Sequence, residues 1–526
     1  MPDTRRNIAN LLVHSTQVST NGTVVADRSR EIGAEELASS AKAIAGQLEN
    51  LGIVPGDRVA IIVDKQVEVI VALFGCFLAD AVLVPVNPQL KPRQIQHILS
   101  DSGARIIIGA AKRTTVLERL EPELALPATI TASFELQPAS ANSRLAEWHP
   151  PAPGFENKPL ATLFYTSGST GLPKAVACTH DNILSGAESV STYLENSASD
   201  VILAILPLSF DAGFSQLTTG LLSGARIILQ DYLLPTDISR ACQRHGVTGI
   251  TGVPAIWNAS LRANWTKEAR QGLRYFANTG GHLSHQRIVQ LTELFPNARP
   301  YSMYGLTEAF RSTYLHPDMI WKKPGSIGKA IPGAVLCVVD ENGEECPPDQ
   351  PGELVHAGPT VAAGYWNNPD ETEKRFRSAP AALRQRVIEG TVVFSGDLVR
   401  RDAEGFLFYE TRIDSQIKIS GNRLSFTEIE DVALAHPDVR ACAAGGRKSD
   451  LASDPELVLF VETDGPETVA ENIMEQLRAE LPGYAVPSRV IARRSLILNN
   501  NNKYDVKRMI AEYCSKFPEG VSSGTD

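Results

Sequence analysis

Between Phe164 and Lys174 the chain reads Phe-Tyr-Thr-Ser-Gly-Ser-Thr-Gly-Leu-Pro-Lys. The apolar run Leu160–Tyr165 predicts a buried strand, and it stops abruptly at the small and hydroxylated residues Thr166 to Gly171. Gly168 and Gly171 permit positive φ and close backbone approach. The hydroxyls of Thr166, Ser167, Ser169 and Thr170, with the N–H groups of such a turn, can wrap an anion, and Lys174 adds a point charge. The familiar nucleotide loop needs Gly before its Lys and Ser or Thr after it. Here Pro173 precedes and Ala175 follows. A plain Ser/Gly surface turn is the alternative, and the choice between them depends on what accompanies the stretch.

A chain of 526 residues exceeds what one core can organise, and about three or four domain-sized units are expected. A net charge of −10 argues against nucleic acid or an anionic membrane as the main partner, but leaves room for a local nucleotide site. The 7 cysteines are scattered with no C-x-x-C pair, so neither a zinc site nor a disulfide framework is expected, and a reducing cytoplasm fits. The most apolar long window, Val67–Val86, holds Glu68 and Asp80 and includes Pro85, so it reads as a buried helix and strand rather than a membrane span. The apolar patch after Arg5 and Arg6 is too short for a signal peptide.

Apolar positions recur at helical spacing over 35–52, and Val59–Val63, Ala81–Val86 and Ala104–Ile108 alternate as strands with helices at Val67–Leu78 and Gln94–Ser100. That alternation predicts a doubly wound, mainly parallel α/β sheet. Residues 132–158 read as a surface loop. Ile202–Leu206, Ala225–Leu229, Gly249–Val253 and Leu273–Ala277 predict a second α/β unit. From Ile331 short β runs (Ala334–Val339, Gly352–Ala357, Val392–Val399, Phe406–Tyr409) predict a smaller β-rich subdomain. The expected division is a large N-terminal domain over 1–411 and a small α+β module over 412–526. In that module Ser425 and Glu428 form a capping-box pattern, Leu457–Val461 a strand and Ala470–Leu481 a helix.

Further stretches follow the loop in order: Pro207-Leu-Ser-Phe-Asp211, Thr279-Gly-Gly281, Tyr304-Gly-Leu-Thr-Glu308, Ser395-Gly-Asp397 and Arg412-Ile-Asp-Ser-Gln-Ile-Lys-Ile-Ser-Gly421, with Lys503 near the end. Over about residues 10–510 this set resembles the adenylate-forming superfamily of acyl-CoA synthetases, non-ribosomal peptide synthetase adenylation domains and luciferases. It is also similar to a stand-alone branch of ligases found beside exosortase gene clusters. The resemblance implies ATP and Mg²⁺ as cofactors and an acid activated as acyl-adenylate with release of pyrophosphate. A phosphopantetheine thiol then displaces AMP. It places Thr166–Lys174 on the outer phosphates, Thr307 on the α-phosphate and Glu308 on Mg²⁺. Tyr304 stacks on adenine beside Gly280 and Gly281, and Asp397 and Arg412 hold the ribose. Lys503 bridges the incoming carboxylate and the α-phosphate, and Asp414 is the hinge of a rotating C-terminal module. Asn502 stands where the family has Gly, and Asn tolerates positive φ. Lys507 is the alternative for the catalytic lysine, and an ordinary exposed turn acid is the alternative for Asp414.

Phe210-Asp211 looks like the amino-acid-activating kind, in which the Asp pairs with a substrate ammonium. The same pattern lines the acid pocket with Ala212, Ser215, Thr251, Ala277, Thr279, Met303, Arg311 and Ser312. Arg311 admits three readings: it binds a polar or acidic substrate tail, it pairs with Asp211, or it points to solvent. An amino or other polar acid is the favoured substrate, with a medium- or long-chain fatty acid as the alternative. No carrier motif occurs in the chain, so the acceptor is CoA or a separate carrier protein. A non-catalytic nucleotide-binding relative and a luciferase-like oxidase are the competing readings. Retained Lys503, Glu308 and Asp397 argue against the first, and nothing indicates the specialised substrate the second needs.

Overall fold

The computed structural model describes residues 6–20, 22, 24–109, 128–131, 154–155, 158–167, 173–232, 234–384, 386, 390–413, 417–419, 422–424, 426–447, 455–465, 468–500 and 502–517. It is a mixed α/β protein with a large N-terminal domain and a small C-terminal one.

The first unit is a 7-stranded sheet. Its centre is parallel: Val82–Val86, Arg58–Ile62, Ile106–Gly109 and Ala128–Thr131 lie side by side in that order. All five residues of Arg58–Ile62 and of Val82–Val86 are buried, as strands covered on both faces must be. The apolar helix Val67–Leu78 makes the crossover between them. At the other edge Leu160–Ser167 and Pro173–Thr179 form an antiparallel pair, extended by Gly364–Tyr365.

The second unit explains why the motifs meet. Val201–Ala204, Gly249–Gly252, Tyr275–Asn278 and Arg299–Tyr304 are parallel neighbours. The motif residues Pro207–Asp211, Thr251, Thr279–Gly281 and Tyr304–Glu308 all fall at or just past the carboxyl ends of these strands, where open α/β sheets bind ligands. Arg226–Leu229 extends the sheet, and Val25–Ala26 adds in parallel beyond it. No pattern in the N-terminal segment marks it as part of this second sheet.

The β-rich region from Val335 has small cores of its own, around Val355 and Val392 and around Leu354 and Val399. Its strands nevertheless do not stand apart as a sheet. Ser326–Ala330 pairs with both Thr313–Leu315 and Leu407–Arg412, which makes the region continuous with the second unit in one 14-stranded sheet. The small domain packs helices Phe426–Leu434, Val469–Glu480 and Val506–Lys516 on the mixed sheet Ala441–Arg447, Glu456–Glu462 and Arg489–Arg493. Among the described residues no helix is long and apolar enough to cross a membrane, and no group of His, Cys, Asp or Glu forms a metal cluster. All 7 cysteines are free thiols. Ser425 and most of 132–158 lie outside the described residues.

Candidate active site

Asp397 and Arg412 are cross-strand partners in the β-rich region, with Arg412 Nη1 3.5 Å from Asp397 Oδ1. The Tyr304 phenol, delivered by the end of Arg299–Tyr304, donates to Asp397 Oδ2. Burial pushes the Asp397 carboxyl up, while Arg412 and Tyr304 pull it back down. Beside them Gly280 sits at φ +72, and the Gly281 carbonyl accepts from Asn278 Nδ2 at 2.9 Å. The residues expected at adenine and ribose are thus together in one place.

Thr307 and Glu308 lie on the short 3₁₀ turn Thr307–Ala309. The turn ends at Phe310 with φ +53 and ψ −50, a backbone state costing about 1–3 kcal/mol that only firm surroundings hold. Those surroundings are visible: Phe310 is fully buried, and its ring packs so closely on Gly186 that a β-carbon there would sit 2.3 Å from it. Glu308 Oε1 accepts from Tyr365 Oη at 2.5 Å, and its backbone carbonyl accepts from Ala362 N at 2.8 Å.

Lys503 arrives from the small domain on a tight turn. Leu498 and Tyr504 form a bridge, Asn499 N donates to the Lys503 carbonyl at 2.7 Å, and Asn499 Oδ1 accepts from Lys503 N at 3.1 Å. Asn502 takes φ +58, the conformation expected of a residue in the family's glycine position. The ammonium lies 4.9 Å from the centroid of the Phe210 ring. Burial lowers its pKa, and the charge of Asp211 opposes that. The orientation is held by contacts between the domains. Asn258 Nδ2 donates to Tyr504 Oη at 3.0 Å, Arg262 Nη1 pairs with Glu462 Oε1 at 2.6 Å, and Arg287 Nη2 donates to the Val439 and Arg440 carbonyls at 2.7 Å each. His282 Nε2 meets Asp431 Oδ1 at 3.0 Å.

Asp211 opens the buried helix Asp211–Ser223. Of the three readings of Arg311 the structure shows the second: Nη1 lies 3.4 Å from Asp211 Oδ2, and both side chains are buried. The same Nη1 reaches the Phe310 carbonyl at 3.2 Å, while Nε has no partner among the described residues. Thr307 Oγ1 stands 3.5 Å from Asp211 Oδ1. Burial raises the Asp211 pKa, and Arg311 and Lys503 oppose it. Ala212, Ser215, Thr251, Met303 and Arg311 line one cavity of about 10 Å³, room for about one water. Ala277 packs with Met303 in the adjoining apolar cluster. Thr279 and Ser312 are buried nearby without lining that cavity.

Lys174 is placed differently from a free phosphate ligand. Its Nζ pairs with Glu371 Oε2 at 2.9 Å, and Lys374 together with Lys174 holds the Glu371 carboxyl down to about 2. Among the described residues, Thr166 Oγ1 reaches the Lys174 carbonyl, at 3.4 Å. Gly168, Ser169, Thr170, Gly171 and Asp414 lie outside the described residues, as does the side chain of Ser167. Tyr365, Glu371 and Arg287 are additions that the motifs do not contain. Each acts through a partner distant in sequence, and no local pattern marks it.

The arrangement brings the Asp397–Arg412 pair, the Glu308 carboxylate and the half-buried Lys503 into one region. Comparison with known proteins identifies the family. Residues 13–366 match the AMP-binding enzyme family, and residues 428–503 match the AMP-binding enzyme C-terminal domain. The chain is 30% identical over 507 residues to the long-chain-fatty-acid–CoA ligase of Escherichia coli O6:H1, covering 89% of this chain and 88% of that protein. It is 28% identical over 477 residues to tyrocidine synthase 3 of Brevibacillus parabrevis, covering 90% of this chain and 7% of that much longer protein. In fold it is similar to ATP-bound MatB from Rhodopseudomonas palustris, with TM-score 0.82, 24% identity and coverage of 96% and 99%. It is likewise similar to the o-succinylbenzoate coenzyme A synthetase MenE of Bacillus subtilis in complex with ATP and magnesium ion, with TM-score 0.77, 24% identity and coverage of 94% and 98%. The chain belongs to the AMP-binding enzymes, the adenylate-forming acid–thiol ligases.

Proposed function

We propose that this enzyme activates a polar carboxylic acid lacking an α-ammonium group and passes it to the thiol of CoA or a separate carrier protein. The observation that supports this reading is the Arg311–Asp211 pair. An amino acid would bring a cation to Asp211, but Arg311 and Lys503 already flank that carboxylate. A buried carboxylate needs one compensating charge, and a third cation would be expelled. The local balance therefore favours an acid that brings negative charge only.

In the adenylation step a carboxylate oxygen attacks the α-phosphorus of ATP, and the bond from that phosphorus to the bridging oxygen of pyrophosphate breaks. Positioning and charge neutralisation supply most of such catalysis. Lys503 offsets the repulsion between the two anions as they meet. Asp397 and Arg412 fix the ribose and Tyr304 the base. Thr166–Lys174 is our assignment for the outer phosphates, and Glu308 for Mg²⁺. The Glu308 carboxylate, fixed through Oε1 by Tyr365, leaves Oε2 for a hard cation, which binds through one or two carboxylates and substrate phosphates. When bound, that ion neutralises phosphate charge.

The second reading, a fatty acyl-CoA ligase, is favoured by the Escherichia coli relative. Against it stands the buried Arg311–Asp211 pair, which sets charge rather than apolar surface at the expected acid position. ATP–pyrophosphate exchange with a panel of hydroxy, dicarboxylic, amino and fatty acids tests the proposal. We expect exchange with the first two classes. Exchange restricted to amino acids, or to fatty acids, would refute it.

A further inference from the structure

A crevice of about 330 Å³ lies between the two domains, lined on one side by the turn that leads to Lys503. Its large-domain wall includes Asn87, Lys91 and Pro173, the last residue of the phosphate-loop motif before Lys174. Its small-domain wall is Asn499, Asn500 and Arg508. Asn87 Nδ2 donates to the Asn500 carbonyl at 3.1 Å and ties the walls together, so the crevice exists only in this orientation of the domains.

The crevice is built for an anion. Two helices begin at it, Pro92–Ser102 from the large domain and Val506–Lys516 from the small one, both 11 residues long. Their amino ends bring partial positive charge, to which Lys91 and Arg508 add full charges. The one carboxylate in the lining, Asp505, is turned to its own helix and accepts from Arg508 N at 3.1 Å. An independent sign comes from Ser209, in the motif Pro207–Asp211. It is only 8% exposed, it lines the crevice, and its Oγ has no hydrogen-bond partner among the described residues. A hydroxyl left unbonded in a buried position costs free energy unless a ligand completes it.

The geometry points to a site for a diphosphate anion, and we assign it to inorganic pyrophosphate, the leaving product of adenylation. Pro173 puts the crevice beside the expected outer-phosphate position, and the crevice is present while Lys503 is inserted, before a thiol substrate is needed. Held by both walls, pyrophosphate stabilises the lysine-inserted orientation by mass action, and its departure frees the small domain. This inference rests on the proposed acid-activating reaction.

The test is calorimetric titration of inorganic pyrophosphate into the full-length chain, with orthophosphate and CoA as parallel titrants. Arg508→Gln and Lys91→Gln alter exposed side chains and leave the cores intact. Each is expected to weaken pyrophosphate binding about tenfold and to leave AMP binding unchanged, as loss of one charge-assisted contact does. Ser209→Ala should weaken it less. Pyrophosphate affinity indifferent to both charge variants overturns the site, and so does loss of CoA binding in place of pyrophosphate binding. Exchange kinetics separate this inference from the reaction it rests on. If exchange proceeds with an unaltered KM for pyrophosphate in both variants, the reaction stands and the site fails. If no acid supports exchange while pyrophosphate still binds through Arg508, the site stands and the reaction fails.

Discussion

Lys503 lies directly across Gly280: a β-carbon on that glycine would sit 2.8 Å from the lysine Cε and 3.3 Å from its Nζ. The glycine is also at φ +72, where a side chain is strained. Gly280→Ala is therefore expected to displace the lysine while leaving the large domain folded. ATP–pyrophosphate exchange should fall about tenfold or more, the cost of a displacement near 1 Å at a reacting centre. Thioester formation from a supplied acyl-adenylate should persist. Equal loss of both half-reactions would show that Gly280 serves something other than passage of the lysine.

Lys503→Ala should lower exchange about 10²–10³-fold, as removal of a single preorganised charge does. The lysine must be protonated to neutralise the meeting anions, and burial lowers its pKa. Exchange should therefore decline on the alkaline side, beginning at lower pH than for an exposed lysine. Lys503→Arg keeps its charge at every working pH. Its residual exchange should lack that alkaline limb, and a limb unchanged in the arginine variant would assign it to another group.

Breaking the buried Arg311–Asp211 pair on one side should destabilise the protein by about 3–5 kcal/mol, because a buried charge loses its nearest opposite charge. Removing both charges with Asp211→Asn and Arg311→Met together should restore most of that loss. Thermal unfolding of the two single variants and the double variant measures the coupling. Arg311→Met alone also exposes Asp211 to an incoming ammonium, so amino acids should gain in the exchange panel relative to other acids. No change in the order of acids would show that Arg311 does not govern charge selection.

Much of this site was legible in the sequence, for a definite reason. Asp211, Thr279, Tyr304 and Thr307 lie at the ends of strands whose apolar patterns were readable, and the parallel sheet alone brings such ends together. Asn502 at φ +58 was readable because the turn needs a residue that tolerates that state. The pairings were not fixed by local pattern. Lys174 finds Glu371 through side chains that meet only after distant elements have packed, and the Arg311–Asp211 pair was one of three readings that the sequence left open. Val25–Ala26 is a strand of two residues, too short to show any period. Tyr365 sits on an equally short strand, and its bond to Glu308 depends on how that strand joins Pro173–Thr179.

The contacts around His282 and Arg287 predict how tightly the small domain holds its lysine-inserted position. Burial works against the charge on His282, but the hydrogen bond and charge of Asp431 outweigh it, and the His282 pKa is raised. A raised histidine pKa adds stability that is complete below the ordinary value of about 6.5 and is lost as pH rises through the raised value. Glu430, next to Asp431, is pushed up to about 7 by burial. Its carboxyl accepts from Ala444 N at 2.8 Å within the small domain, so its titration acts there rather than on the contact between the domains. Loss of the His282 charge therefore loosens the position towards alkaline pH. Donor and acceptor dyes on the two domains should report a larger mean separation at high pH, and His282→Gln with Asp431→Asn should flatten that response. Arg287→Ala removes the bonds to the Val439 and Arg440 carbonyls. It should lower the docked population roughly tenfold at any pH, since hydrogen bonds to charged groups contribute about 1.5–3 kcal/mol. Its exchange activity should fall in proportion, and a docked population unmoved by Arg287→Ala would place the hold elsewhere in the interface.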